Sequence, residues 1–439
     1  MKKVLVLGAG LVAKPLVHYL LNKGYQVSVV SRTVSKAQEM IKGFANGEAH
    51  PLDLQDEKGL SDHVKGADLA VSLVPYAFHP VVAKMCIEHK KNMVTTSYVS
   101  DAMKALDEPA KAAGITILNE IGVDPGIDHM SAMRVIDGVR KRGGKVVAFR
   151  SYCGGLPAPE DNTNPYGYKF SWAPRGVLLA GRNSAQYLMD GRKVVIPNAM
   201  LFRDVHVLRV EDFGEFEAYP NRDSISYVDI YGLQGIKTLF RGTLRNMGWC
   251  DTLHNINRLG LLSLDEIEVK GMTYADLMRK VVGAGPNDDL VRFIARKLVI
   301  PTESLPISNM KWLGLLSDRK FEVERISPLD ALGNLMYEKL SFGPHERDLI
   351  VLYHDFRAEF PGGKNERITS RMIDFGIKDG DSAMSRTVSL PAAIGVDLIL
   401  QGKITTKGVL RPVTPEIYEP VLDELATMNI ACKETFEAY

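Results

Sequence analysis

The 439-residue chain has few cysteines, and their spacing excludes several classes of protein. Its four cysteines, Cys86, Cys153, Cys250 and Cys432, lie far apart and form no C-x-x-C pair. Four scattered cysteines match neither a zinc motif nor the disulfide framework of a secreted domain, so we expect neither, and we expect a reducing, cytoplasmic environment. The chain also lacks H-E-x-x-H and G-x-S-x-G, the signatures of zinc peptidases and of serine hydrolases. We therefore expect no bound metal.

An excess of charge and a long apolar run are also missing. Lysine and arginine number 54 against 53 aspartates and glutamates, which gives a net charge of +1. Proteins that bind nucleic acids or membrane surfaces usually show a basic bias, so we expect neither partner. No stretch approaches the roughly 18 apolar residues of a membrane span. The start, Met1-Lys2-Lys3, leads into apolar residues broken by glycines without a cleavage site, which favours a strand over a signal peptide.

The N-terminal residues contain the pattern of a dinucleotide site. A short apolar strand, Val4 to Leu7, ends in Gly8-Ala9-Gly10 and enters a helical segment. In this arrangement the first glycine makes a tight turn, the second lets backbone N–H groups approach a pyrophosphate, and the helix dipole adds positive potential. Ala13 takes the third position of the motif, and a second strand, Gln26 to Val30, follows after the usual interval of about twenty residues. These features predict a dinucleotide-binding βαβ unit.

The end of the second strand indicates which dinucleotide binds. An NAD site usually has an acidic residue there, which accepts a hydrogen bond from the ribose 2′-hydroxyl. This chain instead has Ser31-Arg32-Thr33, with no acid. A cation and two hydroxyls suit a 2′-phosphate, so we predict NADP(H) and not NAD. The alternative is that Arg32 is a solvated residue at the start of the next helix.

Strands and helices alternate along the first 125 residues. The predicted strands are 3–7, 26–31, 47–52, 68–73, 92–95 and 115–118, and the predicted helices are 11–22, 34–43, 56–64, 79–90 and 101–113. This alternation predicts a mostly parallel, doubly wound sheet of the Rossmann type. Ligands of such sheets bind beyond the carboxyl ends of the strands, so the segments that follow each strand are the candidate site.

The pattern changes after this unit. A long helix with a buried apolar stripe is predicted over 127–142, and strand-like pieces with long loops follow from Lys145. Residues 249–339 are mainly helical, with capping signals at Ser263 and Thr273. Strand-like stretches at 348–356 and 366–374 and an apolar helix at 390–400 complete the chain. We predict an α/β protein with three parts: a Rossmann NADP-binding domain (1–125, completed by 390–439), a mixed α+β substrate domain (126–246 and 340–389) and a helical subdomain (247–339).

The order and spacing of several segments resemble one family over essentially the whole chain. These segments are GAGLVAKP, SLVPYAFHPVVAK, NMVTTSY, GVDPGIDHM, SYCGGLPAPE, YKFSW, YPNRDS and RGTLR. They look like the saccharopine dehydrogenase family, of the NADP-dependent, L-glutamate-forming type. The resemblance implies an oxidoreductase of lysine metabolism that acts on CH–NH donors. Such enzymes join L-glutamate and L-2-aminoadipate 6-semialdehyde as an imine and reduce it to saccharopine, or run the reverse reaction. It also implies a cytoplasmic homodimer.

The resemblance also implies the site residues. The cofactor contacts are Gly8, Gly10, Leu11, Val12, Ala13, Ser31, Arg32, Thr33, Asp53, Leu54, Val74, Pro75 and Tyr76. The substrate contacts are Ser97, Tyr98, Asp124, Arg222, Thr243, Leu244 and Arg245. The bifunctional relatives join this module to a lysine-ketoglutarate reductase. Without such an extension we expect the stand-alone form, or a reductase partner that is a separate protein.

The chemistry of saccharopine gives these residue types a purpose. Its three carboxylates call for cations, and Arg222 and Arg245 are the candidates. A proton must move at the amine nitrogen, which calls for a general acid/base, with Asp124, Tyr98 and Cys153 as candidates. Asp124 could instead bind the substrate ammonium, and Tyr98 could serve packing. We expect Cys153 at the end of a strand, before Gly154-Gly155, where it could be an ordinary buried thiol.

The roles of His129 and of residues 345–348 have alternative interpretations, and two other functions are considered. His129 is interpreted as a structural histidine, with a cofactor contact as the alternative, and residues 345–348 as a solvated turn. An imine-reducing polyamine enzyme, of the carboxynorspermidine or homospermidine synthase type, is the alternative function, although it would favour acids over the arginine pair. A non-catalytic NADP-binding protein is the third hypothesis.

Overall fold

The structure is a computed structural model that describes residues 1–439. The chain forms two compact units, Met1–Val146 with Ala358–Tyr439, and Val147–Arg357. In chain order the strands are β1 (Lys3–Leu7), β2 (Gln26–Ser31), β3 (Gly47–Pro51), β4 (Leu69–Ser72), β5 (Asn92–Thr95), β6 (Thr116–Leu118), β7 (Lys145–Pro157), β8 (Ala185–Met189), β9 (Arg192–Ile196), β10 (His206–Val210), β11 (Gly214–Pro220), β12 (Thr238–Arg245), β13 (Ile267–Glu268), β14 (Arg325–Ile326), β15 (Asp348–Phe360), β16 (Lys364–Phe375), β17 (Gly408–Leu410) and β18 (Lys433–Ala438).

Sixteen α-helices are distributed along the whole chain. They are α1 (Lys14–Asn22), α2 (Val34–Met40), α3 (Glu57–Lys65), α4 (His79–Glu88), α5 (Asp101–Lys104), α6 (Asp107–Ala113), α7 (Ile127–Lys141), α8 (Pro174–Ala180), α9 (Tyr227–Ile230), α10 (Trp249–Arg258), α11 (Tyr274–Val282), α12 (Leu290–Leu298), α13 (Leu305–Leu313), α14 (Pro328–Lys339), α15 (Ala383–Leu400) and α16 (Pro415–Thr427). Short 3₁₀ turns lie at Tyr76–Phe78, Pro159–Asp161 and Asn198–Arg203.

The first unit contains a seven-stranded parallel sheet in the order β17-β6-β5-β4-β1-β2-β3. All four residues of β4 are buried, as expected for a parallel strand that helices cover on both faces. The strand order reverses direction between β1 and β4, which is where ligands bind in doubly wound sheets. The predicted α/β fold class and the predicted Rossmann-type sheet are confirmed.

Three local differences from the predicted elements have physical reasons. Helix α1 begins at Lys14 and not at residue 11, because a turn closed by Ala13 N–H and the Gly10 carbonyl comes first. The predicted helix 101–113 is two helices, since Pro109 has no N–H for the Ala105 carbonyl and interrupts the bonding. Strand β17 pairs with β6 but is too short to show a periodic pattern in the sequence.

The apolar helix near the C-terminus starts earlier than predicted. Helix α15 has 18 residues, begins after the Ser382 cap and packs against α1 and α16. The sequence predicts no stretch of membrane-spanning length, but α15 is long and apolar enough to cross a membrane. Because 83% of it is buried inside the structure, it resembles a core helix. Strands β16 and β18 pair antiparallel in the same unit.

The second unit contains a mixed sheet and a helical layer. Its strands run in the order β10-β11-β12-β7-β15, and the hairpin β8–β9 joins β12. Strand β12 is parallel to β7 and antiparallel to β11. Helices α10 to α14 bury a large apolar core around Trp249 and Tyr168. The mixed sheet and the helical stretch agree with the sequence prediction, whereas the division of roles among three domains stays a prediction.

One of the two predicted helix caps in this unit is wrong. Thr273 and Asp276 form a reciprocal capping box at the start of α11, as predicted. Ser263 caps no helix, since its hydroxyl bonds Asp265 within a turn and the short strand β13 follows. The carbonyl of Ser263 accepts the N–H of Leu329, so the segment is held by a distant contact that the local pattern does not contain.

Candidate active site

The predicted cofactor positions lie at the carboxyl edge of the parallel sheet, at or just after β1 to β4. Gly8 has φ +109°, and a Cβ there would lie 2.9 Å from the Leu73 carbonyl oxygen, so only glycine fits between the strands. Gly10 has no atom within 4 Å of the position of a Cβ. The chain itself therefore leaves space beside Gly10, which a pyrophosphate could occupy. Ala13 is fully buried and Leu11 is 69% exposed.

The end of β2 presents a cation without an acid. Arg32 is exposed and makes no hydrogen bond or ion pair, and the first turn of α2 contains no acidic residue. Ser31 accepts a hydrogen bond of 3.3 Å from the Thr33 N–H. This edge therefore offers a guanidinium and two hydroxyls to an anionic group, as an adenosine 2′-phosphate requires.

The next two loops complete this edge. The Asp53 carboxylate accepts the Gln55 N–H at 3.0 Å and leaves Leu54 half-buried beside it. After β4, Val74 is half-buried, whereas Pro75 and Tyr76 are exposed, Tyr76 at 78%. The individual cofactor contacts at these positions stay predictions.

Sequence reasoning missed a buried histidine beside this loop. His79 is the first residue of α4, and its Nδ1 lies 2.8 Å from Ser72 Oγ while its Nε2 lies 2.8 Å from Ser97 Oγ. Burial lowers the pKa of His79 to about 4, so the ring is neutral at neutral pH. The only sequence signal is a histidine one turn after a strand-following loop, which is too common to stand out.

Tyr98 and Asp124 are brought together as the sequence predicts for residues that follow neighbouring strands. The Tyr98 hydroxyl donates to Asp124 Oδ1 at 3.0 Å. A tight loop holds Asp124, since the Gly122 N–H donates to the Pro125 carbonyl at 2.8 Å. Gly126 has φ +147°, and a Cβ there would lie 2.0 Å from the Gly122 carbonyl oxygen, so the loop closes only with glycine. The arrangement fixes a carboxylate and a phenol at the sheet edge.

A buried charged cluster supports this pair. Glu120 donates its backbone N–H to the Ser97 carbonyl at 3.1 Å, and its carboxylate accepts the Val99 N–H at 2.9 Å, so it brackets Tyr98. His129 Nε2 lies 2.9 Å from Glu120 Oε2, and Arg411 Nε donates to Oε1, the oxygen that accepts the Val99 N–H, at 2.8 Å. Burial alone would raise the pKa of Glu120, but the hydrogen bond and electrostatic interaction with His129 and the charge of Arg411 lower it to about 2. His129 is thus fully buried and bonded within the protein, as its structural interpretation requires.

The second unit contains a buried arginine without a carboxylate partner. Arg245 is 6% exposed, its Nη1 donates to the Leu244 carbonyl at 2.8 Å, and its Nε has no partner. Its guanidinium lies 4.8 Å from the Tyr168 ring centre and 5.5 Å from that of Trp249. Glu217 faces Arg245 across the β11–β12 ladder, but its carboxylate accepts the N–H groups of Gly248 and Cys250.

A buried charge without a partner is costly, and native proteins compensate it. Because Glu217, the acid in register with Arg245, accepts two backbone N–H groups, a ligand can supply the compensating anion at Arg245. A ligand carboxylate has the charge and the acceptor geometry for this guanidinium.

Arg222 lies at the other end of the same ladder. The register pairs Glu217 with Arg245 and Pro220 with Gly242, so the ladder spans three residue steps, about 10 Å, and Arg222 follows two residues beyond its far end. Arg222 is exposed and has φ +54°, a conformation that non-glycine residues seldom adopt outside functional or tightly held sites. Its carbonyl accepts the Gln186 N–H at 2.9 Å. The backbones of the two arginines therefore lie toward opposite ends of this ladder.

Two predictions about this unit need correction. Cys153 does not end a strand, because β7 continues to Pro157, and it lies in register with Thr243 of β12. Residues 345–348 are not a solvated turn. Glu346 pairs with the buried Lys169 at 2.5 Å, Arg347 pairs with Glu160, and Asp348 is 2% exposed. These contacts join segments distant in sequence, which a local charge pattern does not reveal.

Comparison with known proteins identifies the family. Residues 4–118 match the model of the saccharopine dehydrogenase NADP binding domain, and residues 122–430 match that of the saccharopine dehydrogenase C-terminal domain. The chain belongs to the saccharopine dehydrogenase family. A relative from Saccharomyces cerevisiae, "Saccharopine dehydrogenase [NADP(+), L-glutamate-forming]", is 40% identical and covers 97% of this chain and 96% of its own length.

Other members of the family agree with this assignment. The protein of the same name from Pyricularia oryzae is 39% identical over 99% of this chain and 98% of its own length. Alpha-aminoadipic semialdehyde synthase from mouse is 39% identical, and the match spans 47% of that protein. The solved apo structure of the saccharopine dehydrogenase (L-Glu forming) from S. cerevisiae superposes with a TM-score of 0.90 at 38% identity and covers 100% of both chains.

Proposed function

We propose that this chain is an NADP-dependent oxidoreductase that interconverts saccharopine with L-glutamate and L-2-aminoadipate 6-semialdehyde. The observation that carries the proposal is the burial of the Arg245 guanidinium among aromatic rings without a carboxylate partner. The chain belongs to a family that is named for its action on saccharopine. A substrate with several carboxylates supplies the missing anion. The buried charge of Arg245 would instead repel the positive charge of a polyamine substrate.

The substrate's separate carboxylates match the separation of the two arginines. Saccharopine carries carboxylates at both ends of an extended chain, so one arginine cannot bind them all. Arg245 and Arg222 lie at opposite ends of the β11–β12 ladder and can each bind a different carboxylate of one molecule. Thr243 pairs in register with Tyr219 of β11 and Cys153 of β7, and the Leu244 carbonyl accepts a hydrogen bond from Arg245.

The first unit supplies the cofactor edge and the proton chemistry. When bound, NADP(H) gives or takes the hydride at the carbon that becomes the aldehyde. Arg32, with Ser31 and Thr33, holds the adenosine phosphate, and the space beside Gly10 takes the pyrophosphate. In the direction of saccharopine oxidation, the amine nitrogen loses a proton, water adds to the imine carbon, and the C–N bond then breaks with return of a proton to nitrogen.

Asp124 is placed to move these protons. It is half-buried, fixed by its loop and hydrogen-bonded to Tyr98, so its carboxylate can take the proton from nitrogen while the phenol stabilises the charge. Cys153 stays a candidate only through its register with Thr243. A homodimeric assembly, a cytoplasmic location and a place in lysine biosynthesis complete the proposal and stay predictions.

The reductive reaction tests the proposal against its alternative. Purified protein is mixed with NADPH, L-glutamate and the semialdehyde, and in parallel with the amine and aldehyde substrates of polyamine synthesis. We expect NADPH consumption only with the first pair. Consumption with the polyamine substrates alone would favour the alternative enzyme, and NADPH binding without turnover would favour a non-catalytic protein.

A further inference from the structure

The Ser72–His79–Ser97 chain connects the loops that follow two neighbouring strands. Ser72 ends β4 and faces Thr95 of β5 in register, and Ser97 follows β5 by two residues. His79 stands between them with both ring nitrogens at 2.8 Å from a serine hydroxyl. It thereby joins the predicted cofactor loop, which precedes it, to the predicted substrate residue Ser97.

The hydrogen bonds of Ser72 determine which ring nitrogen of His79 carries the proton. Ser72 is fully buried, and its hydroxyl has no partner other than His79 Nδ1. A buried hydroxyl without an acceptor is costly, so the Ser72 O–H donates to Nδ1. A neutral imidazole has one donor and one acceptor, so the proton lies on Nε2 and is donated to Ser97 Oγ. Burial, which lowers the pKa of His79 to about 4, keeps the ring neutral.

This arrangement leaves the Ser97 hydroxyl with one defined role. Its oxygen accepts from His79, and no group of the chain accepts its own hydrogen. Ser97 is half-buried, so that hydrogen is available to a ligand at the carboxyl edge of the sheet. A carboxylate oxygen, which only accepts, is the matching ligand group.

We propose that Ser72 fixes the Nε2–H tautomer of His79, and that His79 thereby makes Ser97 a dedicated donor to a carboxylate of the amino-acid substrate. His79 is a positioning residue in this inference, since it acts through Ser97. The inference rests on the proposed function for the identity of the ligand, but the tautomer follows from the contacts of the protein alone.

Steady-state kinetics with saccharopine and NADP test the inference through a double-mutant cycle. We expect Ser97→Ala to raise the KM for saccharopine about tenfold, the scale of one hydrogen bond to a charged group, with kcat and the Kd for NADP nearly unchanged. His79→Asn retains an amide next to Ser72 but does not reach Ser97, and we expect it to raise the same KM about fivefold. The double variant should be no worse than Ser97→Ala alone. His79→Gln, whose longer side chain reaches Ser97, should recover most of the loss.

The chain offers a matched control on the same helix segment. His89 Nε2 lies 2.7 Å from Ser61 Oγ, just beyond the C-terminal end of α4 and away from the candidate site. His89→Asn should leave the KM for saccharopine unchanged. Effects of His79→Asn and Ser97→Ala that multiply in the double variant, or a Kd for NADP that rises as much as the KM, would overturn the inference.

A second measurement covers a His79 variant that fails to fold. The ¹⁵N shifts of the two ring nitrogens report the tautomer, and we expect the Nε2–H form in the wild-type protein and its loss in Ser72→Ala. An Nδ1–H form in an active wild-type protein refutes the inference alone. A wild-type protein that turns over no saccharopine refutes the proposed function and, with it, the carboxylate as the ligand.

Discussion

The Tyr98 hydroxyl donates to Asp124 Oδ1 over 3.0 Å at the carboxyl edge of the parallel sheet. Both residues are immobilised from behind, Tyr98 by the bracket that Glu120 forms and Asp124 by its glycine-closed loop. A carboxylate that moves a proton must stay within reach of the reacting nitrogen. Because these contacts hold Asp124 in place before the substrate binds, no conformational entropy is lost in positioning it at each turnover.

Asp124→Asn tests whether this carboxylate moves the proton. We expect kcat to fall by about a hundredfold or more, the usual scale of general acid–base catalysis, with the Kd for NADPH unchanged. Tyr98→Phe should lower kcat by about tenfold, because one hydrogen bond to the carboxylate is lost. Tyr337→Phe, at an exposed tyrosine, is the control. A nearly unchanged kcat with a raised KM for saccharopine would instead assign Asp124 to binding the substrate ammonium.

Arg32→Asp tests the choice of cofactor. The change replaces a guanidinium by a carboxylate that repels a 2′-phosphate and can accept from a ribose hydroxyl. We expect the ratio of kcat/KM for NADP to that for NAD to fall by about a hundredfold. Lys36→Asp makes the same change of charge one turn further along α2 and should move the ratio little. An unaltered ratio in Arg32→Asp would remove Arg32 from the cofactor site.

Arg245→Met separates the binding role of this residue from its effect on stability. Removing an unpaired buried charge should raise the Tm of the ligand-free protein, whereas the KM for saccharopine should rise by at least about tenfold. Arg258→Met is the control, since Arg258 donates to the Leu298 carbonyl and to Asn255. It should lower the Tm and leave the KM unchanged. A lower Tm with an unchanged KM in Arg245→Met would show that Arg245 is structural.

Glu120 should determine part of the stability at acid pH. Its pKa in the folded protein is about 2, below the ordinary 4.5, so its contribution is fully present above about pH 4.5 and is lost as the pH falls toward 2. That contribution is on the order of 3 kcal/mol. Urea unfolding measured from pH 7 to pH 2 should show Glu120→Gln less stable at neutral pH and less sensitive to acid. The exposed Glu108→Gln should follow the wild type, and parallel curves for all three would contradict the prediction.

The elements of the parallel sheet were accessible to prediction because each strand combines an apolar run with a turn or a helix signal. Leu69 to Ser72 and Asn92 to Thr95 are examples, and both lie where the sequence predicts strands. The break between α5 and α6 depends on one hydrogen bond that Pro109 cannot make, and β17 depends on pairing with β6 and on Asp107, which accepts the Val409 N–H. Such contacts are tertiary and leave no periodic signal.

The candidate site was predictable where it follows from strand order alone. Residues after neighbouring parallel strands must meet at one edge, which is why Tyr98 and Asp124 do so. The separation of Arg222 and Arg245 depends on the register of β11 against β12, which a long connecting loop hides. His79 depends on two serines from different strands, so its role emerges only from the folded structure.

The oxidation of saccharopine is the most direct test of the central claim. Purified protein is incubated with saccharopine and either NADP or NAD, NADPH or NADH is followed by absorbance, and the products are identified by mass spectrometry. We predict formation of NADPH in strong preference to NADH, together with equal amounts of L-glutamate and L-2-aminoadipate 6-semialdehyde. The absence of reduced cofactor with both dinucleotides, from protein that binds NADPH, would contradict the account.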